Sequence, residues 1–136
     1  MTNKTITVET VIDANIEKVW EFWTRPDHIT QWNFASDDWE CPHAENELKT
    51  GGKFKMSMSA KDGTKGFDFE GTYTQVMRHK QIDYVMVGDN KRKVTVTFTV
   101  TKVGVKVSET FDKEQTNSEE IQRNGWQAIR NFRFII

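Results

Sequence analysis

The sequence lacks an excess of charge of either sign and an apolar run long enough to span a membrane. Its 19 basic and 20 acidic side chains give a net charge of −1. That balance argues against a general nucleic-acid or anionic-membrane binder, because both need surplus positive charge. Lys91, Arg92 and Lys93 are either a local basic patch or, as is commoner for charges at the start of a strand, a solvated hairpin end. No apolar run approaches the roughly 18 residues that a membrane span requires.

Cysteine is also scarce, and the amino terminus has no apolar segment. Cys41 is the only cysteine, so no intramolecular disulfide can form, which fits a reducing compartment. The first ten residues, MTNKTITVET, contain no apolar stretch of the kind that signal peptides have. We therefore expect a cytoplasmic protein with no membrane insertion and no nucleic-acid partner.

Aromatic side chains, in contrast, are abundant. Nine Phe, five Trp and two Tyr make up 12% of the 136 residues. The length suits one domain, and a chain of this size buries roughly two-thirds of its unfolded surface in one core. In a small domain, bulky rigid rings either fill that core or line a pocket, and composition does not separate the two.

Hydrophobic periodicity predicts an α+β domain in the order strand, two helices, about six antiparallel strands and a long helix. Residues 5–12 and 94–101 alternate apolar and polar side chains as half-buried strands do. Asp13 or Asn15 can cap a first helix, and Pro26 begins a second that reaches Trp32. Residues 33–46 look irregular, with one short strand at 38–41.

The last segment changes to helical spacing. Asn117 or Ser118 can cap it, and the acidic residues that follow suit the positive end of the helix dipole. Gly125 lowers helix propensity, and close approach to the sheet would explain it. The predicted inward face is Ile121, Gly125, Ala128, Ile129, Phe132 and Ile136.

The order of elements resembles the helix-grip fold of the START-like (SRPBCC) superfamily across residues 1–136, as a single domain. Four signatures are similar to the branch named after the activator of the heat-shock-protein-90 ATPase. They are VWEFWT at 19–24 with Pro26 and Gln31-Trp32, GGKF at 51–54, FDFEGTY at 67–73, and Gly125-Trp126.

Residues 39–48 and 60–63 look like a bacterial subgroup of stand-alone domains. The chain departs from that subgroup at Ser57 and Ser59, where an Arg and a Glu are usual, and at Arg78-His79, where a proline is usual. The first departure puts in doubt any polar role carried by that charged pair.

The resemblance implies a curved antiparallel sheet around a long C-terminal helix, with an apolar cavity between them. Related domains bind lipids, hormones or polyketides, some act as aromatase/cyclases, and some regulate chaperones. Function must therefore be argued from the site. The side chains expected to line the cavity are Trp32, Phe34, Trp39, Phe54, Met56, Met58, Phe67, Phe69, Tyr73, Tyr84, Phe98, Glu109, Trp126 and Ile129. Each of them has the alternative of filling a solid core.

Glu109 is the most informative polar position in the pattern. It shares parity with Val105, Val107 and Phe111, so strict alternation points its carboxylate inward as an acid, a base or a ligand anchor. The alternative is a bulge or a strand end that returns it to solvent. His43 and Tyr84 are the other weak candidates for catalysis.

The remaining polar residues do not form a recognised catalytic or metal-binding motif. His28, His43 and His79 lack the spacing of a ligand set, and Cys41 with His43 supplies only two of the four ligands of a tetrahedral site. Cys41 is either a weak nucleophile candidate beside His43 or, more commonly, a buried inert thiol. We expect no metal and no cofactor.

Three functions remain open from the sequence. The first, which we favour, is binding of a small hydrophobic molecule, aromatic or lipid-like, in the cavity. The second is a cyclase or hydrolase that uses an inward acid with Tyr or His, although the pattern favours a protein that is not an enzyme. The third is a chaperone regulator acting through its surface, which nothing in the sequence supports. Phe134 and Ile135 belong either to a weak homodimer contact or to the frayed end of a monomer.

Overall fold

The computed structural model of the protein describes residues 5–33, 38–87, 92–113 and 118–131. Within helix α3 the side chains of residues 119, 125 and 128–131 lie outside that description. The predicted order of elements is confirmed. The elements are β1 (Thr5–Ile12), α1 (Ile16–Thr24), α2 (Pro26–Trp32), β2 (Trp39–Asn46), β3 (Lys53–Ala60), β4 (Gly66–Met77), β5 (Gln81–Met86), β6 (Lys93–Thr101), β7 (Gly104–Asp112) and α3 (Glu119–Asn131).

The seven strands form one antiparallel sheet in the order β1-β7-β6-β5-β4-β3-β2. Strands β2 to β6 each pair with the next strand in the chain, as short connections require. Strand β1 pairs with β7 at the opposite edge from β2, so helices α1 and α2 carry the chain from one edge to the other. Helix α2 packs on β2 and helix α3 packs on β1, so a helix covers each edge of the face between them.

Local sequence explains how the two short helices form and meet. The Asn15 side chain accepts a hydrogen bond of 2.8 Å from the Lys18 backbone N–H, which caps α1. Pro26 occupies the first turn of α2, where its missing N–H costs nothing. The Trp32 Nε1–H donates to the Phe22 carbonyl oxygen over 2.9 Å. That bond joins the two helices and fixes the Trp32 ring against the sheet.

Strict alternation persists along β7, which decides the orientation of its residues. Val105, Val107, Glu109 and Phe111 are each 1% exposed. Glu109 pairs in register with Val8 on one side and with Val96 on the other, so β7 has no bulge at that position. The alternative in which Glu109 returns to solvent is therefore wrong.

Two parts of the sequence prediction differ from the structure. Strand β2 continues to Asn46 instead of ending at Cys41, because a register shift between Glu40 and His43 lets the strand pair again after Pro42. Register shifts of this kind disturb the apolar alternation on which strand prediction depends. The pairing of β2 with β3 after Pro42 depends on the neighbouring strand, so the local sequence pattern did not reveal it.

Helix α3 begins as predicted but presents a different face. Ser118 Oγ accepts a bond of 3.2 Å from the Ile121 backbone N–H. Ile121, predicted to point inward, is 62% exposed, whereas Gln122 is 6% exposed and Trp126 is half-buried. The buried face is turned by one residue, about 100° around the helix. The turn occurs because Trp126 stacks on Phe111, with ring centroids 4.0 Å apart. The predicted role of Gly125 and residues 128–136 falls outside the described side chains.

Candidate functional site

A cavity of about 50 Å³ lies between the inner face of the sheet and helices α1 and α2. Six aromatic rings form most of its wall, from both helices and from strands β3, β4 and β5. The described residues that line it are Trp23, Thr24, Trp32, Asn33, Phe54, Met56, Phe69, Tyr73, Ile82, Tyr84, Val96 and Glu109.

The volume sets what the cavity can hold in this state. A space of roughly 10–15 Å³ on this measure accepts one water molecule, whereas an engineered cavity that binds benzene measures about 150 Å³. The observed 50 Å³ therefore suits a few waters or a head group of a few heavy atoms. A ligand that contains a whole ring must displace lining side chains.

The lining residues differ in exposure, which locates the opening. Among the described ones only Met56 and Phe69 are half-buried, and the rest are buried. Met56 and Phe69 are directly paired across β3 and β4. The next pair on the same face of the sheet, toward the hairpin that joins these two strands, is Met58 with Phe67. Phe67 is 55% exposed. An apolar track along β3 and β4 thus leads from the cavity to the surface.

Among the described residues that line the cavity, Glu109 is the one with a carboxyl side chain. It is 1% exposed and belongs to a row that crosses five strands of the sheet. The other members of that row, in order, are Val8, Val96, Ile82 and Val76. The predicted inward carboxylate is therefore present, surrounded in its row by aliphatic side chains.

Hydrogen bonds join the cavity wall to the end of helix α1. Asn46 Nδ2 donates to the Thr24 carbonyl oxygen over 2.8 Å and to the Tyr73 hydroxyl over 3.2 Å. Burial raises the pKa of Tyr73, and the bond from Asn46 partly opposes that rise. Asn33 Nδ2 donates a hydrogen bond of 3.3 Å to the Met56 sulfur. These amides hold a tyrosine and a methionine of the wall in place.

Several lining positions were missed by the sequence argument. Trp23 lies within the apolar pattern of the first helix, and helical spacing does not distinguish a core position from a cavity position. Thr24 and Asn33 end their helices, so helical periodicity gives no orientation for them. Ile82 and Val96 lie on the inward-facing positions of their strands β5 and β6. Their inward parity was the available signal.

Seven of the predicted lining residues border the cavity, and their role in binding stays a prediction. They come from α2, from strands β3, β4 and β5, and from β7. They are Trp32, Phe54, Met56, Phe69, Tyr73, Tyr84 and Glu109.

Other predicted lining residues lie elsewhere. Phe67 is mostly exposed and contacts the half-buried Trp39, with ring centroids 6.0 Å apart. Phe98 packs edge-on against Trp20 and Trp23 behind the cavity, with centroids 5.2 and 5.8 Å away.

Met58 is buried but does not border the cavity, and Trp126 is engaged in its stack on Phe111. Like Phe67, Trp39 and Phe98, these two residues are not among the described residues that line the cavity, and their role in binding stays a prediction. Phe34 and the side chain of Ile129 lie outside the described residues.

His43, a weak candidate for catalysis in the sequence, does not border the cavity. It pairs with Ser57 across β2 and β3, on the face opposite to Met56, and its side chain is 56% exposed. Its nearest charged neighbour is Glu45, with 3.7 Å between Nε2 and Oε1. The combination of an inward acid with His43 is therefore excluded by geometry.

Cys41 is a buried thiol, 2% exposed, whose Sγ donates to the His43 carbonyl oxygen over 3.5 Å. Burial raises its pKa, so the reactive thiolate is disfavoured. In the described ranges no three His, Cys, Asp or Glu side chains come together as a metal site requires. None of the described helices is long and apolar enough to cross a membrane.

A curled seven-stranded antiparallel sheet that packs against three helices, with a cavity between the sheet and helices α1 and α2, defines a domain of the helix-grip, START-like class. The family described as "Activator of Hsp90 ATPase homolog 1-like protein" matches residues 13–131. The chain belongs to this family, as its motifs predicted. No curated protein matches the chain significantly.

Solved structures agree with that assignment. The solution structure of an AHSA1-like protein from Aeromonas hydrophila is 42% identical, covers 93% of this chain and 87% of its own, and has a TM-score of 0.87. A Cytophaga hutchinsonii protein is 46% identical over 96% of this chain and 88% of its own, with a TM-score of 0.79. A Chromobacterium violaceum protein shares the fold at 19% identity, with a TM-score of 0.80 over 95% of this chain and 94% of its own.

Proposed function

We propose that this protein binds a small hydrophobic molecule in the cavity behind Met56 and Phe69. The observation that carries the proposal is the graded burial of the inner side chains of β4. Phe67 is 55% exposed, Phe69 is half-buried and Tyr73 is 5% exposed. A row of aromatic residues that leads from solvent to an internal space is what an apolar ligand needs in order to enter.

The small volume of the cavity makes adaptability part of the proposal. Met56 has an unbranched side chain with three rotatable bonds, so it can move without disturbing the backbone. Phe69 contacts Phe54 and Trp126 edge-on, with ring centroids 5.6 and 6.2 Å apart, and Phe69 itself is half-buried. Displacing these two side chains enlarges the cavity toward Phe67. The ligand then takes the place of side-chain contacts that are lost.

A ligand titration with a blocked variant tests this proposal. Indole and benzyl alcohol are expected to raise the melting temperature of the wild type and to shift NMR resonances of Phe69 and Tyr84, because they bind the folded state only. Met56→Trp places a large ring across the opening and should abolish both effects. Met77→Trp, at a position of β4 that is 40% exposed, is the matched control and should leave them unchanged.

Two results would contradict the proposal. One is the absence of any ligand-dependent shift at Phe69 and Tyr84 in the wild type. The other is equal binding by the wild type and Met56→Trp, which would place the ligand on another surface.

A further inference from the structure

The hydroxyl group of Tyr73 is the feature of the cavity wall that the proposed apolar ligand does not explain. Tyr73 is 5% exposed and borders the cavity. Its oxygen accepts a hydrogen bond of 3.2 Å from Asn46 Nδ2, and the same nitrogen donates to the Thr24 carbonyl oxygen over 2.8 Å. Because a carbonyl oxygen only accepts, the amide nitrogen faces both atoms, and the O–H of Tyr73 points elsewhere. None of the described residues accepts a hydrogen bond from that O–H.

Buried donors in native proteins rarely lack an acceptor, so this hydroxyl needs a physical explanation. Leaving a buried polar group unpaired forfeits its hydrogen bonds to water and returns nothing in their place. Burial raises the pKa of Tyr73, so the hydroxyl keeps its proton at neutral pH and remains a donor. Since Tyr73 borders the cavity, a molecule bound there can supply the acceptor.

Other polar side chains of the wall are already engaged within the protein. Thr24 Oγ1 donates over 2.7 Å to the backbone carbonyl oxygen one turn earlier in α1. Asn33 Nδ2 donates to the Met56 sulfur over 3.3 Å, and Glu109 takes part in interactions of its own. A few placed polar groups in an otherwise apolar pocket are what fixes the orientation of a ligand. In this wall the hydroxyl of Tyr73 is suited to that role.

Tyr73 lies at the deep end of the wall, which sets how a ligand would be oriented. Along β4 it follows the half-buried Phe69 by four residues, about 13 Å in an extended strand, and Phe67 lies further toward solvent. The volume of about 50 Å³ accommodates a group of a few heavy atoms, such as an acetyl group. A polar group of that size would lie inside at Tyr73, and the apolar remainder would extend past Met56 and Phe69.

We propose that the ligand of this cavity is a neutral carbonyl compound, a ketone or aldehyde with an apolar remainder, whose oxygen accepts a hydrogen bond from the Tyr73 hydroxyl. A carbonyl oxygen complements a group that has only a donor left, and it brings no donor of its own that burial would leave unpaired. This inference rests on the proposed function, because it assigns the chemistry of the ligand to the same cavity. It adds a functional group and an orientation, with the oxygen inside and the apolar end at the opening.

Acetophenone and α-methylstyrene test the inference, because they have nearly the same shape and differ in an oxygen against a CH₂ group. The hydrocarbon is the more hydrophobic of the two, so the informative quantity is the ratio of their dissociation constants, compared between the wild type and Tyr73→Phe. The variant keeps the ring and removes the hydroxyl. We expect it to weaken acetophenone relative to α-methylstyrene by roughly 3- to 10-fold, the range for a neutral hydrogen bond. NMR titrations that follow Phe69 and Tyr84 measure the four constants.

A control variant and a measurement of orientation assign the effect to Tyr73. Thr74→Val removes an exposed hydroxyl from the next position of β4 and should leave the ratio unchanged. In the wild type, nuclear Overhauser effects are expected between the acetyl methyl group and the Tyr73 ring, and between the phenyl protons of the ligand and the Met56 methyl group. If Tyr73 served only as the acceptor for Asn46, Tyr73→Phe would lower the stability of the fold without changing the ratio.

The outcomes separate this inference from the function on which it rests. An unchanged ratio in Tyr73→Phe, or a wild type that binds α-methylstyrene but not acetophenone, overturns the carbonyl assignment and leaves apolar binding standing. The reverse orientation, with the phenyl ring of the ligand at Tyr73, also overturns it. If neither probe, nor indole, shifts the cavity resonances of the wild type, both proposals fail. Because the orientation is measured on the wild type, a Tyr73→Phe variant that does not fold leaves the inference open to contradiction.

Discussion

The inner face of the sheet has two halves that are packed differently. The aliphatic half, on β1, β7 and β6, is built mainly from branched side chains that are at most 2% exposed: Ile6, Val8, Val94, Val96, Val105 and Val107. The aromatic half, on β3, β4 and β5, carries Phe54, Met56, Phe69, Tyr73 and Tyr84, and it contains most of the cavity wall.

The difference shows how side-chain shape decides where space remains. Branched aliphatic side chains are small and stiff, and they interdigitate at the density of an organic crystal. Rings that meet edge to face, such as Phe54 and Tyr84 with centroids 4.9 Å apart, cannot fill the corners between them. Glu109 lies at the boundary, on a strand of the aliphatic half but facing the space of the aromatic half.

The largest expected effect compares one phenylalanine from each half, both in contact with Trp126. Phe111 is 1% exposed and stacks on Trp126 at 4.0 Å, so Phe111→Ala should destabilise the fold by about 3–5 kcal/mol. Phe69 is half-buried and meets Trp126 edge-on at 6.2 Å, so Phe69→Ala should cost about 1–2 kcal/mol. Urea denaturation measures both, and equal losses would show that the two halves are packed alike.

The next effect concerns the close contact between two strands of the aromatic half. A Cβ added at Gly71 would lie 2.5 Å from the Phe54 Cζ and 2.9 Å from the Val85 carbonyl oxygen. Gly71→Ala should therefore cost about 1–3 kcal/mol and push the Phe54 ring into the cavity. Thr74→Ala, at an exposed position of the same strand, is the control. Unchanged denaturation midpoints for Gly71→Ala would mean that the aromatic half yields more easily than its contacts indicate.

A smaller effect is expected at the hydrogen bonds between helix α1 and the aromatic half. Asn46→Ala removes the bonds to the Thr24 carbonyl and to the Tyr73 hydroxyl, for a loss of about 1–2 kcal/mol. Tyr73→Phe removes one of these bonds and should cost about 0.5–1.5 kcal/mol. Thermal denaturation ranks the two variants. A larger loss for Tyr73→Phe would assign the stabilisation to the tyrosine and not to the amide.

The smallest effect lies on the outer side of the aliphatic half. The Ser108 hydroxyl donates to the Glu9 carboxylate over 2.7 Å and the Lys106 ammonium lies 3.3 Å away, which together lower the pKa of Glu9 below its ordinary 4.5. A carboxyl with a lowered folded-state pKa stabilises the fold above pH 4.5, and the gain is lost as the pH falls through the folded value.

Glu9→Gln should remove that pH-dependent gain, which for an exposed pair amounts to about 0.2–1 kcal/mol. Melting temperatures between pH 7 and pH 2.5 for the wild type and the variant measure it. Glu21→Gln, on the exposed side of α1, controls for the loss of one negative charge. A gain in the wild type that increases as the pH falls would have the wrong sign and would contradict the assignment.

Alternation and helical spacing predicted most of the fold but less of the candidate site. Strands β3 to β7 followed from period-two patterns, and Asn15 and Pro26 marked the helix starts correctly. Phe67 had the correct parity, yet it is 55% exposed near the start of β4, and parity alone does not report how much of a side chain is covered. The inward prediction for Ile121 is wrong, since among the described side chains of α3 it is Trp126 that packs on the sheet, by its stack on Phe111. These two residues lie 15 positions apart, and helical spacing alone does not reveal their contact.

The site shows the same division between local pattern and long-range contact. The parity of Glu109 predicted its inward direction, but only the register of β7 with β1 and β6 excluded a bulge. The exposure of His43 arises from the register shift in β2, which turns its side chain to the outer face. Register depends on the partner strand, so a single-strand pattern cannot specify it.

By itself, the sequence determined the class of fold, the order of elements, the family and the supply of aromatic rings on inward positions. These depend on local spacing and on short motifs, which a segment of the sequence shows without the strands and helices that it packs against. The tertiary structure decided that the rings leave a space of about 50 Å³, that Met56 and Phe69 stand at its opening, and that Glu109 is buried beside it. Those features arise from packing between residues distant in sequence, where the shapes of several side chains act together.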